Sequence, residues 1–375
     1  MSQSMSGQQA PAQSPYLSAN PQVRANQNAL DRATLLATGV QMIQKIGTQS
    51  GIAAGATMRQ RLSNVGVITR LKVRVTATVN ITATATASPF GPYGLISVWN
   101  VQDYNTTDRI KVSGIELYHI NSVRHGRPWM PTGQGLVDTE QTQLPTAIGN
   151  NQQIIFNVDL PLAYDPGSDL RGAILAQTVV GQQVLNATVN NTLVGDATSP
   201  YTAGTVTLTG VQFDMWQEYI MPQNASLPLI DLNTVYELAG TFRVYAGIVT
   251  GGQVFFDYPN VRSVIGAYHH FIDNATGTIN GTDVSDISMV VNGNTTARDY
   301  DPLLLRKDSR LLLGGDIPAG LYYIPSRRQP IQTAIYSQVQ SKWTFGTVTA
   351  TPAPYMGYAY ESFYGLNTPL PGIAG

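Results

Sequence analysis

The sequence predicts an all-β chain of two sandwich-like halves behind an N-terminal helix. Runs of alternating apolar and polar residues begin near residue 65 and recur to the C-terminus. Gly, Pro, Asn and Asp clusters separate those runs, as turns between short strands do. Helical spacing is confined to residues 22–46 and to short stretches near Ser168–Ala176 and Pro302–Leu312.

Residues 1–20 are polar, and Pro11, Pro15 and Pro21 break any helix there, so they read as an arm. In residues 22–46, Leu36, Val40 and Ile43 share one helical face. Leu35, Met42 and Ile46 form a second stripe. Two stripes suit a helix held between two surfaces. Gly39 costs such a helix about 1 kcal/mol relative to Ala, so tertiary contacts must hold it. Gly47, Gly51 and Gly55 are expected to end it.

The first strand is the clearest. Leu71, Val73, Val75, Ala77, Val79, Ile81, Ala83 and Ala85 alternate with Lys72, Arg74, Thr76, Thr78, Asn80, Thr82, Thr84 and Thr86. Successive side chains of a strand point to opposite faces, so one face is wet. The run exceeds an ordinary strand and is expected to bend or split. GLISVWNV, GIELYHI, QIIFNVDLPL, TVTLTGVQFDMW, TFRVYAGIV, ISMVV, TAIYSQV and WTFGTVTA read as further strands. Many antiparallel strands with long loops mean sandwiches, jelly rolls or barrels. The chain divides into an arm (1–50) and two halves (51–221 and 222–375), each large enough for one eight-stranded jelly roll. Tyr-Asp-Pro occurs once in each half, at Tyr164–Pro166 and Tyr300–Pro302, and marks a weak repeat.

Composition narrows the function. The 375 residues include no cysteine, which excludes disulfides and thiolate metal sites. The net charge of −1 gives no global field toward nucleic acid or membrane. Charged residues make up 12%, about half the usual ~25%. A polar, weakly charged surface suits dense contact with copies of itself, and equally a secreted β-protein. Met1–Asn20 lacks the pattern of a signal peptide. No apolar run of ~18 residues is long enough to span a bilayer.

No catalytic, cofactor or metal site is predicted. His269 and His270 lie near Asp257 and Asp273, but neighbours on a strand point apart and do not share a metal. His119 and His125 have no nucleophile motif beside them. The loop Asp273–Asp283 is oxygen-rich yet departs from the EF-hand pattern, so it reads as solvated. One charge feature stands out. No acidic residue lies between Asp31 and Asp103, whereas Lys45, Arg59, Arg61, Arg70, Lys72 and Arg74 do. They form a solvated strand face, or a surface toward anionic headgroups at about 1 kcal/mol per basic residue. Tyr322, Tyr323, Tyr355, Tyr358 and Tyr360 suit either a protein interface or a carbohydrate- or receptor-binding β-sandwich.

Six collinear stretches resemble the major capsid protein of tectiviruses, which are tailless bacteriophages with an internal membrane. They are Val65–Ala77, Phe90–Pro92, Leu160–Ala176, Leu227–Leu238, Ile317–Ile331 and Met356–Glu361. LPLIDLNTVYEL and IPAGLYYIPSRRQPI are the most specific. The resemblance implies a double jelly roll, two eight-stranded β-sandwiches side by side with an N-terminal helical arm, and no enzymatic activity. It implies homotrimers of pseudo-hexagonal outline in an icosahedral shell around a membrane and double-stranded DNA. Expected partners are neighbouring capsomers, vertex and minor capsid proteins and inner-membrane lipids, without sequence-specific nucleic-acid binding. The expected location is the virion, after synthesis in the host cytoplasm. On this reading Leu35, Leu36, Val40, Met42, Ile43, Ile46, Lys45, Arg59 and Arg61 form an assembly and membrane-facing arm.

Overall fold

The computed structural model describes residues 21–364, apart from 89, 126–143, 177–180, 196–197, 223–233, 245–249, 273–283, 294, 314–320, 327–329 and 348–354. Helix α1 spans Pro21–Thr38. The first group of strands is β1 (Val40–Ile52), β2 (Thr57–Arg61), β3 (Val67–Ala87), β4 (Ile96–Gln102) and β5 (Asp108–Val112). Helix α2 (Gly114–His125) follows, then β6 (Gly149–Pro161), β7 (Ile174–Leu175), β8 (Val184–Val189) and β9 (Tyr201–Met221). The second group is β10 (Val235–Val244), β11 (Gln253–Asp257), β12 (Ser263–Ile272), β13 (Val284–Val291) and β14 (Thr295–Tyr300). Helix α3 (Pro302–Leu313) precedes β15 (Leu321–Pro325), β16 (Ile331–Gln332), β17 (Val339–Phe345) and β18 (Tyr355–Tyr364).

The two groups are wired alike. In the first, β1-β9-β3-β6 faces β2-β8-β4-β5, and the short β7 sits beside β3. In the second, β10-β18-β12-β15 faces β11-β17-β13-β14, and the short β16 sits beside β12. Setting the short strands aside, each repeat pairs its strands in the order first, eighth, third, sixth and second, seventh, fourth, fifth. This is the jelly-roll arrangement of two four-stranded sheets. In both repeats the helix joins the fifth strand to the sixth. A parallel contact between β5 and β10, Leu238 beside Ile110 and Ala239 beside Lys111, fuses one sheet of each repeat into a continuous sheet.

Strand β3 keeps its predicted alternation. Leu71, Val73, Val75, Ala77, Val79 and Ile81 enter the main core, while Ala83 is exposed. It bends rather than splits, with register shifts at five points along β9.

Four expected elements differ. The long helix ends at Thr38, and Val40, Met42, Ile43, Lys45 and Ile46 lie on β1, so strand replaces arm from residue 40. The Gly39 amide closes the last helical turn on Leu35 O at 2.7 Å, and a side chain on Gly39 would collide with Ile220. The spacing of Val40, Met42 and Ile46 also fits period two, and pairing with β9 gives one edge of the stretch its backbone hydrogen-bond partners. GIELYHI forms helix α2, not a strand, started by a reciprocal cap. The Ser113 amide donates to the Glu116 carboxylate at 2.7 Å, and the Glu116 amide to Ser113 Oγ at 3.1 Å. The stretch near Ser168–Ala176 is a tight turn instead of a helix. Asp165 accepts from the Gly167 amide and from Ser168 Oγ, and the Tyr164 amide bonds Arg171 O. TAIYSQV opens with a 3-10 turn at Thr333–Ile335, and β17 begins only at Val339. The helix expected at Pro302–Leu312 is present, capped by Asp301 through the amides of Leu303 and Leu304.

The two Tyr-Asp-Pro sites are not equivalent. The first follows the sixth strand of its repeat, and the second follows the fifth. The true counterparts are α2 and α3.

Candidate assembly surface

The proposed arm residues divide among three settings. Leu35 is fully buried among Val67, Ala163, Leu170, Ala173 and Ile220, with Leu36 partly buried against the same cluster. This docks α1 onto the foot of the first jelly roll, where clefts of about 610 and 310 Å³ flank the Asp165–Arg171 turn. On β1, Ile46 packs against the main core, while Val40, Met42 and Ile43 are exposed. Arg59 and Arg61 are exposed on β2, in the opposite sheet.

The basic stretch is largely answered by acids that pairing brings alongside it. Lys45 Nζ lies 2.8 Å from Asp214. Arg70 bridges Asp159 at 3.5 Å and Glu218 at 2.7 Å, and Lys72 reaches Glu218 at 2.5 Å. Burial works against the Asp214 charge, but hydrogen bonds from Lys45, Thr48 and Gln212 outweigh it and hold the carboxyl at about 2. The Glu218 carboxyl is likewise lowered by Lys72 and Arg70 against its burial. Sequence reading missed this pairing because Asp159, Asp214 and Glu218 are remote in the chain. The outer face of the sheet is therefore a ladder of neutralised pairs around Trp216, with Lys45 5.4 Å from the indole centroid.

The seam between the jelly rolls is built by α2. Its Glu116 carboxyl lies against Gly240 of β10. His119 packs against His270 of β12 with the two rings tilted by 59°. Arg124 Nε approaches Glu361 of β18 at 3.4 Å, and its guanidinium also donates to Tyr164 O and the Tyr236 hydroxyl. Tyr268 donates to the same Glu361 carboxylate. Arg171 sits 4.5 Å over the Phe363 ring. Burial pushes the Glu116 carboxyl up to about 7. No pattern rule selects these residues in advance, although the Ser113-Gly-Ile-Glu116 capping box was legible.

His269 and His270 are both buried and face opposite sides of β12, His269 toward Trp343 and His270 toward His119. Among the described residues no three metal-ligating side chains converge. Tyr322, Tyr323 and Tyr358 are buried, so they form no sugar-stacking platform. The Asp273–Asp283 loop, the first 20 residues and the side chains of His125 and Tyr355 lie outside the described residues.

Solved structures that share this fold are capsid proteins of viruses. The crystal structure of the STIV major capsid protein matches with a TM-score of 0.65 at 11% identity, covering 88% of this chain and 98% of that one. The major capsid protein P2 of bacteriophage PM2 matches with a TM-score of 0.50 at 10% identity, covering 87% and 98%. The fold is thus the double jelly roll of viral major capsid proteins. Residues 4–220 match the P3 major capsid protein N-terminal family and residues 233–368 its C-terminal counterpart. The major capsid protein P3 of Enterobacteria phage PRD1 is 27% identical over 380 residues, spanning 94% of this chain and 95% of that protein. The chain belongs to the P3 major capsid protein family. It is a structural protein of the capsid, and its place is the virion.

Proposed function

We propose that three copies of the chain form a pseudo-hexagonal capsomer, and that capsomers close an icosahedral shell around an internal membrane and a double-stranded DNA genome. The observation that carries this reading is the repeated wiring. Two jelly rolls of one pattern stand side by side in each chain, so three chains supply six similar units. The protein works by contact and catalyses nothing. The docked α1, with Lys45, Arg59 and Arg61, meets neighbouring capsomers or inner-membrane headgroups, and vertex and minor capsid proteins complete the shell. The chain makes no direct sequence-specific contact with nucleic acid. Synthesis takes place in the host cytoplasm.

Light scattering with negative-stain electron microscopy tests the capsomer. Particles of three-chain mass with a hexagonal outline are expected, and a monomer at micromolar concentration overturns the reading. Co-sedimentation with anionic vesicles tests the membrane contact. Arg59→Glu with Arg61→Glu should weaken binding, most at low salt where screening is least. Unchanged binding removes these two residues from the membrane contact.

A further inference from the structure

We infer that the foot of the second jelly roll carries a rigid apolar tip that enters the interfacial layer of a lipid bilayer without help from surface charge. Val261 and Ile335 form the tip, and Tyr104 of the first jelly roll stands beside it. This rests on the membrane contact proposed above and adds to it a contact away from α1 that is indifferent to the charge of the headgroup.

Three exposed side chains define the surface. Val261, in the loop between β11 and β12, is 67% exposed. Ile335, in the 3-10 turn before β17, is also 67% exposed, and Tyr104, in the turn between β4 and β5, is 44% exposed. Packing and pairing place all three at the end of the molecule where α1 docks. Leu35 of α1 packs against Leu170. The next residue, Arg171, lies over Phe363 of β18, and Phe363 pairs with Ser263, two residues after Val261. Arg109 of β5 donates to Gly172 O at 3.4 Å, which brings the turn of Tyr104 to the same place. Tyr364 links the two loops. The Arg262 guanidinium lies 3.7 Å from its ring centroid, and Arg109 and Asp103 are within electrostatic reach.

The tip is held rigid. Val261 has a φ of +59°, where a β-branched residue is strained and Asn or Gly is not. Fully buried Thr333 clamps the loop in that shape. Its Oγ1 donates to Pro259 O at 2.8 Å and accepts from the Arg262 amide at 2.8 Å, and its own amide donates to Arg262 O at 2.9 Å. Thr333 also opens the turn that ends at Ile335, so the two apolar side chains are fixed relative to each other. Strain kept at a residue this exposed serves no packing inside the chain, and it points to a contact outside.

Charge around the tip is already answered. Arg262 pairs with Glu237 at 2.8 Å, and Arg109 with Asp103 at 2.8 Å. Asp257, at the end of β11, accepts from Gln338 and Gln340. Paired groups resist the approach of an apolar phase less than bare charges do. Side chains that project singly suit a fluid partner that moulds around them. Val and Ile favour the hydrocarbon, and Tyr the headgroup level. Each contact is weak, and the many copies of a shell add them.

The absence of cysteine makes the test direct. Val261→Cys and Ile335→Cys, each labelled with nitrobenzoxadiazole, should brighten severalfold and shift to the blue on vesicles of phosphatidylcholine alone, and equally in high salt. Ala203→Cys, exposed near the far end of β9, should not. Val261→Asn with Ile335→Asn should keep or raise the melting temperature, since Asn accepts the φ of position 261, and should weaken co-sedimentation with these vesicles about tenfold. If the unmodified chain binds neither neutral nor anionic vesicles, the membrane contact itself fails. If it binds, and the probes at 261 and 335 stay dark, or all three probes respond alike, or the Asn variant binds undiminished, the membrane contact stands and this tip is wrong. If the Asn variant does not fold, the probes alone decide.

Discussion

The imidazole rings of His119 and His270 lie 4.6 Å apart in the seam between the jelly rolls. Phe90 and Tyr118 border His119, and on the far face of β12 His269 contacts Phe256, Trp343 and Tyr358. Burial lowers His119 and His269 to about 3. His270 is also held well below its ordinary value, by burial first and then by the two neighbouring histidines. All three are neutral at pH 7.

Acid should therefore loosen the protein before most of its carboxylates titrate. A histidine lowered on folding contributes stability that is complete above its ordinary 6.5 and is lost as pH falls toward the folded value. Each contributes up to about 1.4 kcal/mol per pH unit in that window. Glu116, raised to about 7, works in the opposite sense and adds stability as pH falls from there toward its ordinary 4.5. Three histidines outweigh one carboxyl, so the melting temperature should fall between pH 6.5 and 4. His119→Phe should flatten that slope, and an unchanged slope would show that His119 does not drive it.

Breaking the buried Arg124–Glu361 pair should cost about 3–5 kcal/mol, because the remaining charge loses its partner. Arg124→Met and Glu361→Gln together should cost less than the sum of the single changes. Denaturant titration of the four proteins measures the coupling. Strict additivity would mean the two groups act independently.

Gly357 faces the His270 ring with no room for a side chain. Gly357→Ala should force that ring off His119 and destabilise the protein by about 1–3 kcal/mol. Gly293→Ala is a contrasting control, since it has open space but a φ of +80°. Its cost is local backbone strain and should leave the histidine-dependent acid slope intact, whereas Gly357→Ala should alter it.

Two truncations separate arm from strand. Removing residues 1–38 takes away α1 and the Leu35 contact but leaves β1 complete. Removing residues 1–46 also strips β1 of its first seven residues and bares the matching stretch of β9. The shorter deletion should lower the melting temperature modestly and the longer one clearly more. Equal melting temperatures would mean that the start of β1 adds nothing to the first jelly roll.

Much of the fold was written locally. The alternation from Leu71 to Ile81 fixes a strand with one wet face wherever it is placed, because side chains of a strand alternate by geometry. Asp301 before Pro302 fixes the start of α3 by satisfying two free amides. Collinear family motifs carried the double jelly roll and the capsid role without any coordinates.

Tertiary structure decided where local signals conflict or fall silent. The apolar spacing from Val40 to Ile46 suits helix and strand alike, and the free edge of β9 made it a strand. Helix α2 is buried on nearly every side, so GIELYHI shows no polar stripe to betray its period, and only its cap does. The basic run from Lys45 to Arg74 looked uncompensated because its acids lie on β6 and β9. The Tyr-Asp-Pro repeat misled because a turn signal marks a bend without saying which strands it joins. Strand order, the seam at Gly240, His270 and Glu361, and the apolar tip at the foot arise from pairing between remote segments. Their energies depend on neighbours that no local window of sequence contains.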